Sequence, residues 1–168
     1  LVAYLAVAGE RPQPRDKLAG LLWGESGEEQ ARTSLRQALS GLRKCLGDDV
    51  LFADGGTVAL GPTAFTCDVR EFAAALADGS PAALERAAAL YRGDLLEGFQ
   101  AGAPTFDEWL AVERERWRQQ ALALLARLGE SQEQAGRLDR ATQTVARLVA
   151  LDSLREDAHR RLLALYAR

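Results

Sequence analysis

Apolar positions recur at helical spacing through most of the chain, and the clearest case lies between Ser26 and Leu46. There Leu35, Leu39, Leu42 and Leu46 form one stripe, which predicts an amphipathic helix. Ser26 followed by Glu29 is a capping-box spacing for its start. Upstream, Leu1, Val2, Leu5, Ala6 and Ala8 give the apolar side of a first helix, and Gly9 to Pro14 reads as a breaker cluster. Pro14 suits the first turn of a second helix, which Leu18, Leu21 and Leu22 bury. Downstream, Val50 to Ala53 and Thr57 to Leu60 are short β-prone runs around Asp54-Gly55-Gly56, the signal of a two-residue hairpin turn.

Beyond Cys67 the pattern becomes continuously helical. A short helix starts near Asp68 and runs through Leu76, and a second starts at Pro81 with Ser80 as N-cap and ends near Tyr91. Residues 93 to 104 form a loop whose Leu95, Leu96 and Phe99 pack onto helices. Thr105 and Glu108 have capping-box spacing for a long helix from Phe106 to Gln134. Gly136 breaks that helix, and two more follow, Leu138 to Leu151 and Leu154 to Tyr166. In this tail Leu125, Leu128, Gly129, Gly136, Ala141, Val145 and Leu148 have tetratricopeptide-like spacing, although Ser153 stands where that repeat has proline. A generic helical hairpin is the alternative. The expected fold is therefore mainly α: a winged helix-turn-helix with a small β-hairpin over residues 1–66, then an all-helical tetratricopeptide-like domain over residues 67–168.

Charge sharpens the reading of the helix after Ser26. The 168-residue chain has a formal net charge of −3, yet Ala31 to Lys44 holds Arg32, Arg36, Arg43 and Lys44 and no acidic residue. Thr33, Gln37, Ser40 and Lys44 lie opposite the leucine stripe, with the arginines on its flank. Such side chains on an exposed helix can touch phosphates and read base edges in a major groove. A merely solvated face is the plain reading of the helix alone. Its position after a first helix pair and before a hairpin favours a helix-turn-helix with a wing, although a hairpin that only closes a core would look the same. Arg36 and Gln37 fall mid-face as candidate base readers. Arg32, Thr33, Arg43 and Lys44 are candidate phosphate contacts, and Ser40 shares their face. The expected partner is double-stranded promoter DNA.

The remaining composition narrows the function classes. Cys45 and Cys67 lack a CxxC pattern and read as buried small hydrophobes in a reducing cytoplasm. His159 is the only histidine and reads as a packing or surface residue. No catalytic constellation, metal-ligand spacing or glycine-rich phosphate loop stands out, so neither an enzyme, a cofactor nor a metal is expected. No apolar run approaches a membrane span. The chain has no methionine and opens inside an apolar helical pattern, which suggests a piece of a longer protein.

The stretches LVAYLAVAGERPQPRDKLAGLLWG, EEQARTSLRQALSGLRKCLGD, ALYRGDLLEGF, FDEWLAVERERWRQQALALLARL and LVALDSLREDAHRRLLALY together resemble the bacterial transcriptional activator domain (BTAD) proteins, among them the SARP-type regulators. The resemblance implies a response-regulator-type winged helix, with Arg32 to Lys44 on the recognition helix, followed by a helical activator domain. It also implies that Trp23 to Glu29 corresponds to a loop that contacts RNA polymerase, through Glu25, Glu28 and Glu29. Helix-dipole complementarity explains Glu28 and Glu29 equally well. The family's winged helix opens with a small sheet before its first helix, and that sheet is not among these 168 residues. The expected function is a cytoplasmic DNA-binding transcriptional activator, paired as a homodimer on DNA. The alternative is an interaction scaffold that uses the helical groove and does not bind DNA.

Overall fold

The computed structural model describes residues 1–9, 11–61 and 66–168, with only the backbone of Asp48. Among these residues it is mainly helical, with eight α-helices and one small three-stranded antiparallel sheet. The expected domain boundary near residue 66 adjoins residues 62–65, which lie outside the described residues, as does Glu10 of the breaker cluster. The chain divides into two compact units, residues 1–70 with 96–113 and residues 71–95 with 114–168.

The first unit opens with α1 (Val2–Ala8), followed by strand β1 (Gln13–Pro14), α2 (Arg15–Trp23) and α3 (Glu28–Leu46). A 3₁₀ turn, Asp48–Val50, leads to β2 (Leu51–Ala53) and β3 (Thr57–Leu60). The sheet order is β1-β3-β2, with Gln13 opposite Val58 and Leu51 opposite Leu60. β1 is absent from the sequence reading because Gln13-Pro14 looks like punctuation. A proline is tolerated there because β1 is an edge strand. Pro14 consequently serves as N-cap of α2 and not as its first helical residue.

Alternation in β3 buries Val58 and Leu60, and Leu5, Leu18 and Leu35 of the three helices are buried as completely. Tyr4, unflagged by the periodicity, is also buried. Its ring lies 4.8 Å from that of Trp109, and its hydroxyl donates to Gln13 Oε1 at 3.3 Å. Phe106 and Leu110 of α6 (Pro104–Gln134) are buried too, the Phe106 ring lying 5.1 Å from that of Trp109.

The hairpin forms, but not with the expected turn. The last paired residues are Ala53 and Val58, leaving four between them. Neither Gly55 nor Gly56 has a positive φ, so no primed turn occurs. Instead Asp54 Oδ1 accepts from the Gly56 and Thr57 amides at 3.2 and 2.9 Å and from the Thr57 hydroxyl at 2.9 Å. These bonds hold the Asp54 carboxyl below its ordinary pKa, the Thr57 amide contributing most.

In the second unit α4 (Asp68–Asp78) leads to α5 (Pro81–Leu90), then the remainder of α6, α7 (Leu138–Leu151) and α8 (Glu156–Tyr166). Ser80 caps α5 as expected, its hydroxyl accepting from the Ala83 amide at 3.3 Å. The capping box expected at Thr105 and Glu108 does not form, because α6 already begins at Pro104 and Thr105 lies inside it. The Asp107 carboxylate instead accepts from the Ala101 amide at 2.9 Å. α8 starts at Glu156, two residues later than its apolar pattern suggests.

α6 ends in a Schellman motif. Gly136 takes φ +70°, the Arg137 amide reaches Gln132 O at 2.8 Å, and the Gly136 amide reaches Glu133 O at 2.9 Å. Close approach of α6 and α7 follows from Gly129, where an added Cβ would stand 3.0 Å from Val145 Cγ2. Between the same helices the buried Thr144 hydroxyl donates to Gln132 Oε1 at 2.7 Å. Arg147 of α7 donates to Ala88 O at 2.6 Å and also to Tyr91 O.

Candidate nucleic-acid interface

α3 is helical because its apolar positions follow one face while its ends suit the backbone dipole. Glu28 and Glu29 stand in its first turn, and Arg43 and Lys44 in its last. Its buried face is Ala31, Leu35 and Leu39, displaced toward the N-terminus from the expected leucine stripe. Leu42 is half-buried and Leu46 is 47% exposed, since the helix outruns the core beneath it. The expected capping box is also missing. The N-cap is Gly27, which has no side chain to offer, and the Ser26 amide instead donates to Trp23 O at 3.0 Å.

The outer face holds most of the residues expected there. Arg32, Thr33, Arg36, Gln37, Ser40 and Lys44 are exposed, and Arg43 is half-buried. Their electrostatic situations differ. Arg32 is committed to two carboxylates, Asp16 Oδ1 at 3.0 Å and Glu28 Oε1 at 2.7 Å, and its pKa is raised, chiefly by the hydrogen bond to Asp16. Arg36 folds back on its own helix, donating to Thr33 Oγ1 at 3.0 Å and Arg32 O at 3.4 Å. Among the described residues, no carboxylate forms an ion pair with Arg36, Arg43 or Lys44.

One residue missing from the sequence reading joins this set. Arg15, the first residue of α2, lines a shallow depression of about 390 Å³ with Arg36, Leu39, Ser40, Arg43 and Lys44. Four cations thus border one concave patch, with no carboxylate in its lining among the described residues. Position 15 lies far from this helix in sequence, so linear charge counting cannot find it. Its amide donates to Gly56 O at 3.0 Å, tying the start of α2 to the hairpin tip.

Glu25, Glu28 and Glu29 are all exposed, with Glu28 engaged by Arg32. The cysteines depart from expectation. Cys45 is exposed and Cys67 half-buried, both as free thiols, Cys45 falling off the Ala31, Leu35 and Leu39 face that α3 buries. His159 is exposed, with Nε2 2.9 Å from Ser153 O.

Among the described residues, no group of three or more His, Cys, Asp or Glu could hold a metal ion, and no helix is long and apolar enough to cross a membrane. No curated protein matches the chain. The bacterial transcriptional activator domain, a regulatory family and not an enzyme family, matches residues 63–168. Because that match spans more than half of a mainly helical chain, this chain belongs to the bacterial transcriptional activator domain family.

Proposed function

We propose that this chain is a DNA-binding transcriptional activator of the SARP type, with residues 1–66 a response-regulator-like winged helix and residues 67–168 a tetratricopeptide-like activator domain. The observation that carries the reading is the outer face of α3. Its Arg36, Arg43 and Lys44 have no ion-pair partner among the described residues, beside exposed Thr33, Gln37 and Ser40. A protein makes most of its contacts with a duplex through phosphates, and cations already neutralised by carboxylates contribute less. Arg36 and Gln37 read bases, while Thr33, Ser40, Arg43 and Lys44 hold the backbone. Arg32 belongs to the same face, its charge shared with Asp16 and Glu28.

Glu25 and Glu29, exposed near the start of α3, offer acidic groups to a basic surface of RNA polymerase, with Glu28 held partly by Arg32. Pairing of two chains on adjacent half-sites raises affinity through effective concentration, which a module with few cationic contacts needs. Fluorescence anisotropy with duplexes from the neighbouring promoter, against a scrambled duplex, tests the reading. Preferential binding, with a complex mass of two chains per site, is the expected result. Equal affinity for both duplexes or none for either refutes it, and leaves the helical half as a protein-binding scaffold.

A further inference from the structure

We infer that Arg15, and not Arg32, joins Arg43 and Lys44 as the third cationic phosphate contact of this interface, with Arg36 on the bases, while Arg32 acts as a positioning residue that ties α3 to α2. The inference rests on the DNA-binding reading and assigns roles within it. Counted along the sequence, α3 has four cations, Arg32, Arg36, Arg43 and Lys44. In the fold, Arg32 bridges Asp16 of α2 and Glu28 of its own helix, a trio with a net negative charge. A phosphate approaching Arg32 meets two carboxylates as well, and must displace them before it gains a charge-assisted hydrogen bond.

Arg15 has the opposite surroundings. It borders the depression with Arg36, Arg43 and Lys44, and its buried Nε has no hydrogen-bond partner among the described residues. A buried guanidinium nitrogen without a partner carries a desolvation cost that an anion would relieve. The amide hydrogen bond to Gly56 O fixes the backbone of Arg15 beside the hairpin tip. No side chain caps the start of α2, whose dipole also favours an anion there. Asp54 at the hairpin tip stays charged and acts on Arg15 through space, with no ion pair between them, while its Oδ1 accepts from Gly56 and Thr57. Arg15, Arg36, Arg43 and Lys44 thus form a cluster with the chemistry of a phosphodiester-binding surface.

The number of phosphate contacts sets how steeply affinity falls with salt. With about −0.9 per contact, three contacts lose about 40-fold in affinity between about 50 and 200 mM salt, and two lose about 12-fold. The experiment measures this slope by anisotropy on one duplex for the unmutated protein, Arg15→Gln, Arg15→Lys and Arg32→Gln, each checked for folding by circular dichroism. Arg15→Gln is expected to flatten the slope to the two-contact value, and Arg15→Lys to restore it. Arg32→Gln is expected to keep the three-contact slope. An unchanged slope for Arg15→Gln, or a flattened one for Arg32→Gln, overturns the assignment while DNA binding stands. Absence of duplex binding by the unmutated protein overturns both together.

Discussion

Gly129→Ala tests whether the second unit depends on the close approach of α6 and α7. Alanine in a helix interior normally gains about 1 kcal/mol over glycine. Here the new Cβ would stand 3.0 Å from Val145 Cγ2 and 3.9 Å from Thr144 Cγ2. Val145 is fully buried, as is Ala141 one turn before it on the same helix, so the methyl has little room to retreat. Overpacking a filled core costs about 1–3 kcal/mol, which outweighs the propensity gain. The net expectation is a destabilisation of about 1 kcal/mol.

A double-mutant cycle separates the two contributions. Val145→Ala removes the clashing methyl and by itself costs about 2 kcal/mol in lost burial and cavity. In that background Gly129→Ala should become stabilising, a coupling of at least about 1 kcal/mol. Urea unfolding followed by circular dichroism measures all four proteins. Gly20→Ala in α2 is the control, because an added Cβ there meets nothing within 4 Å and alanine should simply stabilise. A stabilised Gly129→Ala single mutant, or the same effect in both Val145 backgrounds, would refute the packing argument.

Ser80→Ala should lower stability by about 1 kcal/mol, because it leaves the Ala83 amide uncapped at the start of α5, and thermal unfolding measures the loss. Tyr91 should ionise late. Burial, and next the Asp94 charge, push its phenol up from 10.0 to about 12. The fold therefore favours the neutral phenol. That stabilisation is complete below pH 10 and lost as pH rises through about 12, and comparison with Tyr91→Phe by ultraviolet titration isolates it. Arg36→Ala should cost about 1–3 kcal/mol on a specific duplex and less on a scrambled one. Lys44→Ala should weaken both alike, so equal losses for Arg36→Ala would contradict base reading.

Helices were legible where periodicity alone decides them. The span of α7 matches its apolar pattern residue for residue, and Ser80-Pro81 announces the start of α5 correctly. Features set by non-local pairing were not legible. β1 is two residues that become a strand only because β3 lies beside them, and Asp54 replaces the glycine turn by accepting three hydrogen bonds. Helix starts shifted by one or two residues, which was enough to abolish both expected capping boxes. Residues 96–113 group with the first unit although the helical pattern runs unbroken through Gln134, because periodicity says which face is buried and not what buries it.

The candidate interface divides along the same line. Which residues of α3 face outward follows from its leucines, and the outward set is nearly as read. Which of those cations remain without a counter-charge depends on what the fold carries alongside. Asp16 comes from the preceding helix to engage Arg32, and Arg15, its immediate neighbour in sequence, reaches the basic depression instead. Two adjacent residues of α2 thus act in opposite senses on one helix face, the first adding a cation and the second tying one up. A linear charge count returns the same total of four before and after this exchange, so it cannot reveal that the membership has changed. Substitution at position 15 therefore discriminates between the sequence and structural assignments more sharply than any change within α3 itself.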